Sequence, residues 1–250
     1  KCENGVYQMD MEAFREQVKG CKLFILCNPH NPGGIVWKEE ELREIAEICY
    51  DEGVLVFSDE IHADLTLPPH KHRPFATISE KAKMNSVTFM SPSKAFNMPG
   101  MTASHAIIYN PELRHQLREF IEACELDLGH AFAFLSVEAA YSHGTEWLDQ
   151  CLTYIQGNID YVDAFLKEHA PKIKAIRPQA SYLIWLDCRE MNLSQKALND
   201  FFVDKAYLAL NDGAIFGKGQ GDGFMRLNVA SPRSVIEKAM KQLADAYQQL

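Results

Sequence analysis

Paired cysteines are missing from this sequence: Cys2, Cys21, Cys27, Cys49, Cys124, Cys151 and Cys188 stand singly, with no CxxC and an odd total. That spacing excludes a disulfide framework and reads as a set of reduced thiols in a cytosolic protein. Long apolar runs are missing too. None approaches the roughly 20 residues a membrane helix requires, and the opening KCENGVYQMD has no apolar stretch of the kind a signal peptide carries. Positive charge is in deficit, 25 Lys and Arg against 34 Asp and Glu for a net charge of -9, which argues against a broad footprint on nucleic acid or an anionic membrane and leaves a local basic pocket open. There is no internal repeat and no low-complexity segment. An initiator methionine is also lacking, since the chain opens on Lys1, and the expectation is a piece of a longer protein, truncated at its amino end.

What remains is 47% apolar residues in 250, enough to bury a sizeable core. The first half alternates short β-rich runs with amphipathic stretches, which predicts an α/β domain on a largely parallel sheet. Strands are expected at Lys22 to Cys27, Val54 to Phe57, Ser86 to Met90 and Ala103 to Tyr109. Between the first two, Leu42, Ile45, Ala46 and Cys49 recur at helical spacing from Glu39 to Glu52, and Gly53 ends that helix. From Pro111 to about Ala170 the pattern is helical, with a long stretch from Glu146 to His169. Beyond it, strand-like Ser181 to Asp187 and Phe224 to Ala230 and helix-like Ser194 to Lys205 and Pro232 to Leu250 suffice for a small α+β domain. The expected division is 1–155 and 156–250.

Open α/β sheets bind ligands beyond the carboxyl ends of their strands. Three polar clusters of the first half, Asn28 to Gly34, Ser58 to Asp64 and Ser91 to Asn97, each follow a strand. In Ser91-Pro92-Ser93-Lys94, two hydroxyls beside a lysine can hold an anion while the amine attacks a carbonyl. An isolated SxSK is more often a surface lysine, and the SDN and KTG elements that accompany SxxK in penicillin-binding enzymes are absent. Asp59, at the end of a buried strand, needs either a cationic ligand or the ordinary role of a helix-capping acid. His62 can donate to a ligand oxygen or be a satisfied loop histidine. Asn28-Pro29-His30-Asn31-Pro32-Gly33-Gly34 forces a non-helical backbone from which Asn31 can bond a ligand oxygen. Arg226, inside an apolar strand, calls for an anion: a substrate carboxylate, or an Asp or Glu of the protein itself. A lysine for a Schiff base, a carboxylate for a pyridine nitrogen, donors for a phenolate and hydroxyls for a phosphate are together what pyridoxal-phosphate (PLP) chemistry needs.

In this order, NPHNPGG, SDEIH, SPSKAFN and RLNVASPR resemble the fold-type I PLP enzymes of aminotransferase class I/II. Within them, SDEIHADL, the histidines and PF of Pro69 to Phe75, and SPSKAFN without a following arginine are similar to the bacterial cystathionine β-lyases and C-S lyases. The resemblance implies an aspartate-aminotransferase-like large domain with a mostly parallel sheet and a small carboxyl-terminal α+β domain. It implies Lys94 as the Schiff-base lysine, Asp59 as the partner of the pyridine nitrogen, Asn31 and His62 as phenolate contacts, Ser91 and Ser93 as phosphate contacts, and Arg226 as the clamp for a substrate carboxylate. It further implies a cytoplasmic homodimer whose His70 to Phe75 loop is covered at the interface, and a chain lacking an amino-terminal part that carries more of the cofactor cradle. Thr102 stands where many aminotransferases have a phosphate-binding arginine. The expected activity is carbon-sulfur β-elimination from cystathionine or a cysteine conjugate, with an aminotransferase, or a non-catalytic fragment of such an enzyme, as alternatives.

Three further motifs are set aside. Asn192-Leu193-Ser194 fits a glycosylation sequon but reads as a helix start capped by Ser194. Gly217 to Gly223 lacks the Walker spacing and precedes a strand, so a mobile loop is expected. His70 and His72 lack a third ligand at sensible spacing, so no metal is expected.

Overall fold

A computed structural model describes residues 2–3, 6–126, 129–217 and 219–250. Lys1, which opens the chain, and Lys218 of the glycine-rich loop lie outside them. In chain order the elements are β1 (Cys2–Glu3), β2 (Val6–Tyr7), α1 (Met11–Gln17), β3 (Leu23–Cys27), α2 (Glu39–Asp51), β4 (Leu55–Asp59), α3 (Glu80–Met84), β5 (Ser86–Met90), α4 (Pro92–Ala95), β6 (His105–Ile107), α5 (Pro111–Ala123), α6 (Ala131–His143), α7 (Thr145–His169), β7 (Lys174–Ile176), β8 (Leu183–Asp187), α8 (Gln195–Asp200), β9 (Asn211–Asp212), β10 (Phe224–Asn228) and α9 (Arg233–Tyr247). Contacts gather them into two compact units, one of residues 8–30 and 35–150, the other of residues 2–7, 31–34 and 151–250.

The first unit is built on a sheet of order β3-β4-β5-β6. Its first three strands are parallel, and β6 returns antiparallel to β5. Helix α2 buries Leu42, Ile45, Ala46, Ile48 and Cys49 on one stripe, and carries Glu39, Glu40 and Glu41 in its first turn, where carboxylates suit the positive helix end. Gly53, at φ 67°, closes it in the left-handed conformation that glycine adopts without strain. Register sets Cys27 opposite Asp59 and Asp59 opposite Phe89. The segments beginning at Asn28, Glu60 and Ser91 therefore leave from one edge of the sheet. His105, which opens β6 opposite Met90, lies at that same edge.

The second unit has the sheet order β7-β8-β10-β9, antiparallel throughout. One of its clusters of buried residues holds Ile176, Trp185 and Phe224 with Tyr7 and Phe216 against them. The Trp185 and Phe224 rings stack at 5.2 Å, and the Trp185 indole donates to the Tyr7 hydroxyl at 2.8 Å. Asn158, wholly buried in α7, donates to the carbonyls of Val229 and Ser231 and accepts from the Arg233 guanidinium at 2.8 Å. Each of its polar atoms is thus satisfied.

Several expectations change in detail. The strand expected over Ala103 to Tyr109 is confined to His105–Ile107 and runs against its neighbour. The helix expected over Ser194 to Lys205 is α-helical only to Asp200, with Ser194 accepting from the Ala197 amide at its start. A π-helical turn follows over Phe201–Lys205, burying both Phe201 and Phe202. Within the glycine-rich loop Gly221 packs on backbone, for a Cβ there would lie 2.0 Å from the Gly213 oxygen. The His70 to Phe75 loop does not offer its aromatic ring outward, because Phe75 is fully buried. Exposed apolar bulk sits instead on α6, at Phe132, Phe134 and Leu135. Cys21, Cys27, Cys49, Cys124, Cys151 and Cys188 are free thiols, and no helix among the described residues is long and apolar enough to cross a membrane.

Candidate active site

Lys94 sits in α4, a single turn that starts just past the end of β5. Ser91 caps that turn by accepting from the Ser93 amide at 3.1 Å. The buried Ser91 hydroxyl also lies 2.6 Å from the Ala103 carbonyl, which accepts its only proton, so the 2.8 Å contact between the two serines is a donation from Ser93. Of the pair, Ser93 is the one whose hydroxyl can turn outward. Lys94 is half-buried as a residue, and among the described residues its amine makes no hydrogen bond or ion pair. Asp59, the last residue of β4, is also half-buried and spends one carboxylate oxygen on the Ile61 amide at 3.2 Å. His62, two residues beyond Glu60, is buried at the head of the short turn Ala63–Leu65. Thr102 lies in the left-handed region at φ 47° and is exposed.

Beside Asp59 lies a cluster that the sequence reading missed. The Glu60 carboxylate is buried to 0% exposure and meets the His72 ring nitrogen Nε2 at 2.6 Å. It also accepts from the Ser58 hydroxyl at 2.8 Å and the Phe75 amide at 2.9 Å. A buried carboxylate is tolerated when its oxygens are satisfied in this way. The Asn28 side chain donates to the Arg73 carbonyl at 3.2 Å, and its amide donates to the Asp59 carbonyl at 2.9 Å. The loop that carries His72 is thus tied to the end of β4 and to the start of the Asn-Pro segment. His72, set aside above as a metal ligand, is the partner of this buried carboxylate. A signal was available, since an acid directly after a buried strand must find donors and PHKHRPF supplies two of them.

The second unit holds Arg226 and Asn31. Arg226, in the middle of β10, donates to the Asn31 side-chain oxygen at 2.9 Å and to the Asn211 side-chain oxygen at 2.8 Å. Its guanidinium lies 4.6 Å over the Phe216 ring. The Nε atom is buried without an acceptor. Burial works against the charge and lowers its pKa from the ordinary value, an effect that the nearby Tyr182 opposes. Among the described residues no carboxylate comes to this arginine, so the ion-pair alternative raised from the sequence has no partner here. A charged guanidinium held by two neutral amides and a ring is a ready receptor for an anion.

Polar loops collected at the carboxyl edge of parallel strands, with a lysine and an aspartate among them, define the class of α/β proteins that bind ligands at strand ends. The chain belongs to aminotransferase class I and II, whose family model matches residues 3–243. It is 41% identical over 246 residues to cystathionine β-lyase PatB of Bacillus subtilis (strain 168), covering 98% of this chain and 63% of that protein. It is 34% identical over 227 residues to protein MalY of Escherichia coli (strain K12), covering 90% and 57%. The crystal structure of cystalysin from Treponema denticola, which contains a pyridoxal 5'-phosphate cofactor, matches with a TM-score of 0.93 at 35% identity, covering 99% of this chain and 63% of that one. The chain therefore spans less than two thirds of the length of these relatives.

Proposed function

We propose that the protein carrying this chain is a PLP-dependent carbon-sulfur β-lyase, releasing a thiol, pyruvate and ammonia from cystathionine or a cysteine conjugate. The observation that carries the cofactor reading is a pair of half-buried residues, Lys94 and Asp59, placed at one edge of the sheet with no ion pair between them or to any other described residue. Charges left so are costly unless a ligand completes them, and a phosphorylated pyridine aldehyde offers a carbonyl to the first and a ring nitrogen to the second. The name of PatB supports the choice of reaction.

When bound, the cofactor supplies an electron sink for the substrate's α-carbon. Lys94 would hold it through Nζ, and the same atom is placed to take the substrate's α-proton. Asp59 would pair with the ring nitrogen and favour its protonated form. His62 and Asn31 would donate to the ring oxygen, and Ser93 would donate to the phosphate from the turn that Ser91 caps. Arg226 takes the substrate carboxylate with its planar fork. Elimination would break the substrate's Cβ–S bond, the sulfur leaving as a thiolate that takes a proton, and water would hydrolyse the released enamine to pyruvate and ammonia. The same reading makes the protein a cytoplasmic homodimer, supported by the isolated thiols and by the exposed apolar residues of α6; light scattering showing a monomer would refute the dimer.

The test supplies the purified protein with cystathionine and, separately, with an amino acid lacking a β leaving group together with an acceptor keto acid. Pyruvate formed faster than new amino acid is the expected result, and transamination outrunning elimination would assign an aminotransferase instead. Borohydride treatment should trap the cofactor on Lys94, and Lys94→Ala should abolish the trapping.

A further inference from the structure

The turn that carries Lys94 is four residues long, too short to hold its own shape. After Phe96 the chain reverses at Asn97, which is left-handed at φ 50°, and the Met98 amide donates back to the Ser93 carbonyl at 3.0 Å. Pro92 and Ala95 are buried. Phe96 is the third anchor and the largest. Its ring meets Tyr141 edge-on at 5.8 Å and stacks on Trp147 at 6.2 Å. It also presses on the residue that ends α6: a Cβ placed on Gly144 would lie 2.4 Å from the ring. These three neighbours come from the corner where α6 gives way to α7.

We infer that Phe96 is a positioning residue for Lys94, its ring seated in a socket of Tyr141, Gly144 and Trp147 that fixes the place of the lysine amine. The inference rests on the reading of Lys94 as the cofactor's lysine and adds to it a determinant of geometry. The socket has a second connection. The Tyr141 hydroxyl lies beside the Asp64 carboxyl, and burial with that carboxylate pushes the phenol up to about 12. Burial pushes Asp64 up as well, with His72, Tyr141 and His105 opposing. His105 meets the Tyr141 ring edge-on at 6.1 Å. Asp64 follows His62 by two residues, so one aromatic ring braces both the lysine turn and the histidine turn. A displacement of the amine by about 1 Å is enough to slow a proton transfer on the order of a hundredfold, whereas substrate binding at another group is untouched.

The experiment uses the cofactor-loaded protein and three substitutions, Phe96→Ala, Phe96→Leu and Tyr141→Phe. Phe96→Ala should leave cofactor trapped on Lys94 by borohydride, weaken the visible circular dichroism of the bound cofactor, and lower kcat on the order of tenfold to a hundredfold with KM changed far less. Phe96→Leu, which keeps apolar volume, should fall between it and the unsubstituted protein, and Tyr141→Phe, which keeps the ring, should change the dichroism least. The dichroism decides. Should Phe96→Ala fail to fold, the ordering of the other two carries the test. A dichroism unchanged in every folded variant overturns the socket and leaves Lys94 as the cofactor lysine. Cofactor trapped on another lysine in the unsubstituted protein overturns both the socket and the reading beneath it.

Discussion

Arg226 illustrates how a single side chain can announce a ligand. Two asparagine oxygens and a phenyl ring surround its guanidinium, and each of these is neutral. They orient the fork without neutralising it. Lysine at this position would keep the charge but lose the planar arrangement that satisfies both amides at once and still offers an edge to a carboxylate. Arg226→Lys should therefore raise KM for every amino-acid substrate by roughly tenfold to a hundredfold, the worth of a charged hydrogen bond or two, while kcat changes far less. Steady-state kinetics with two unrelated amino acids check it, and an effect confined to one of them would contradict a carboxylate role. The same substitution says nothing about which bond is later broken, because the carboxylate is common to elimination and transamination.

At the scale of elements, the Asn-Pro segment depends on one glycine. Gly34 adopts φ 68°, and a Cβ there would lie 2.7 Å from the Pro178 side chain and 2.8 Å from its backbone, while its carbonyl accepts from the Gln179 amide at 2.7 Å. Gly20 has a similar φ of 77° and nothing within 4 Å. Gly20→Ala should show only the left-handed penalty of about 1–2 kcal/mol, and Gly34→Ala should lose at least about 1 kcal/mol more through the clash. Urea unfolding of the two variants checks the difference. The parallel part of the sheet was legible in the sequence because β3, β4 and β5 are short apolar runs, each followed by a polar, Gly- or Pro-marked loop. The direction of β6 was not, since a run of residues carries no sign of which way its neighbour runs. Likewise Lys94, Asp59 and Arg226 stood out by type and by position after or within strands. Glu60 and His72 did not, for their pairing depends on where a loop twelve residues later returns. The π-helical turn at Phe201–Lys205 was hidden for a similar reason: two adjacent phenylalanines fit a helix by pattern, and only the need to bury both widens the turn.

For the whole molecule, acid should weaken the fold through one identifiable histidine among the carboxylates. Burial holds His30 down to about 4 from the ordinary 6.5. Between those two values the unfolded chain binds a proton that the folded chain refuses, so the stability that neutral His30 preserves is fully present above about pH 6.5 and is lost as pH falls toward 4. At about 1.4 kcal/mol for each pH unit of the shift, the loss is at most about 3 kcal/mol. Urea titrations between pH 7 and pH 4 should show it as a slope, and His30→Gln should flatten that slope relative to the parent. Parallel slopes in the two proteins would place the acid sensitivity elsewhere. The arginine site has a consequence of another kind, one of timing. Asn31 and Arg226 are 195 residues apart in sequence, and closing a loop of that size from an unfolded chain costs roughly 5 kcal/mol of entropy. Their contact is favoured once the chain between them has shortened that distance by folding. A chain in which that folding is incomplete lacks the arranged arginine. Any carboxylate ligand that binds there favours the finished chain over every partly folded one.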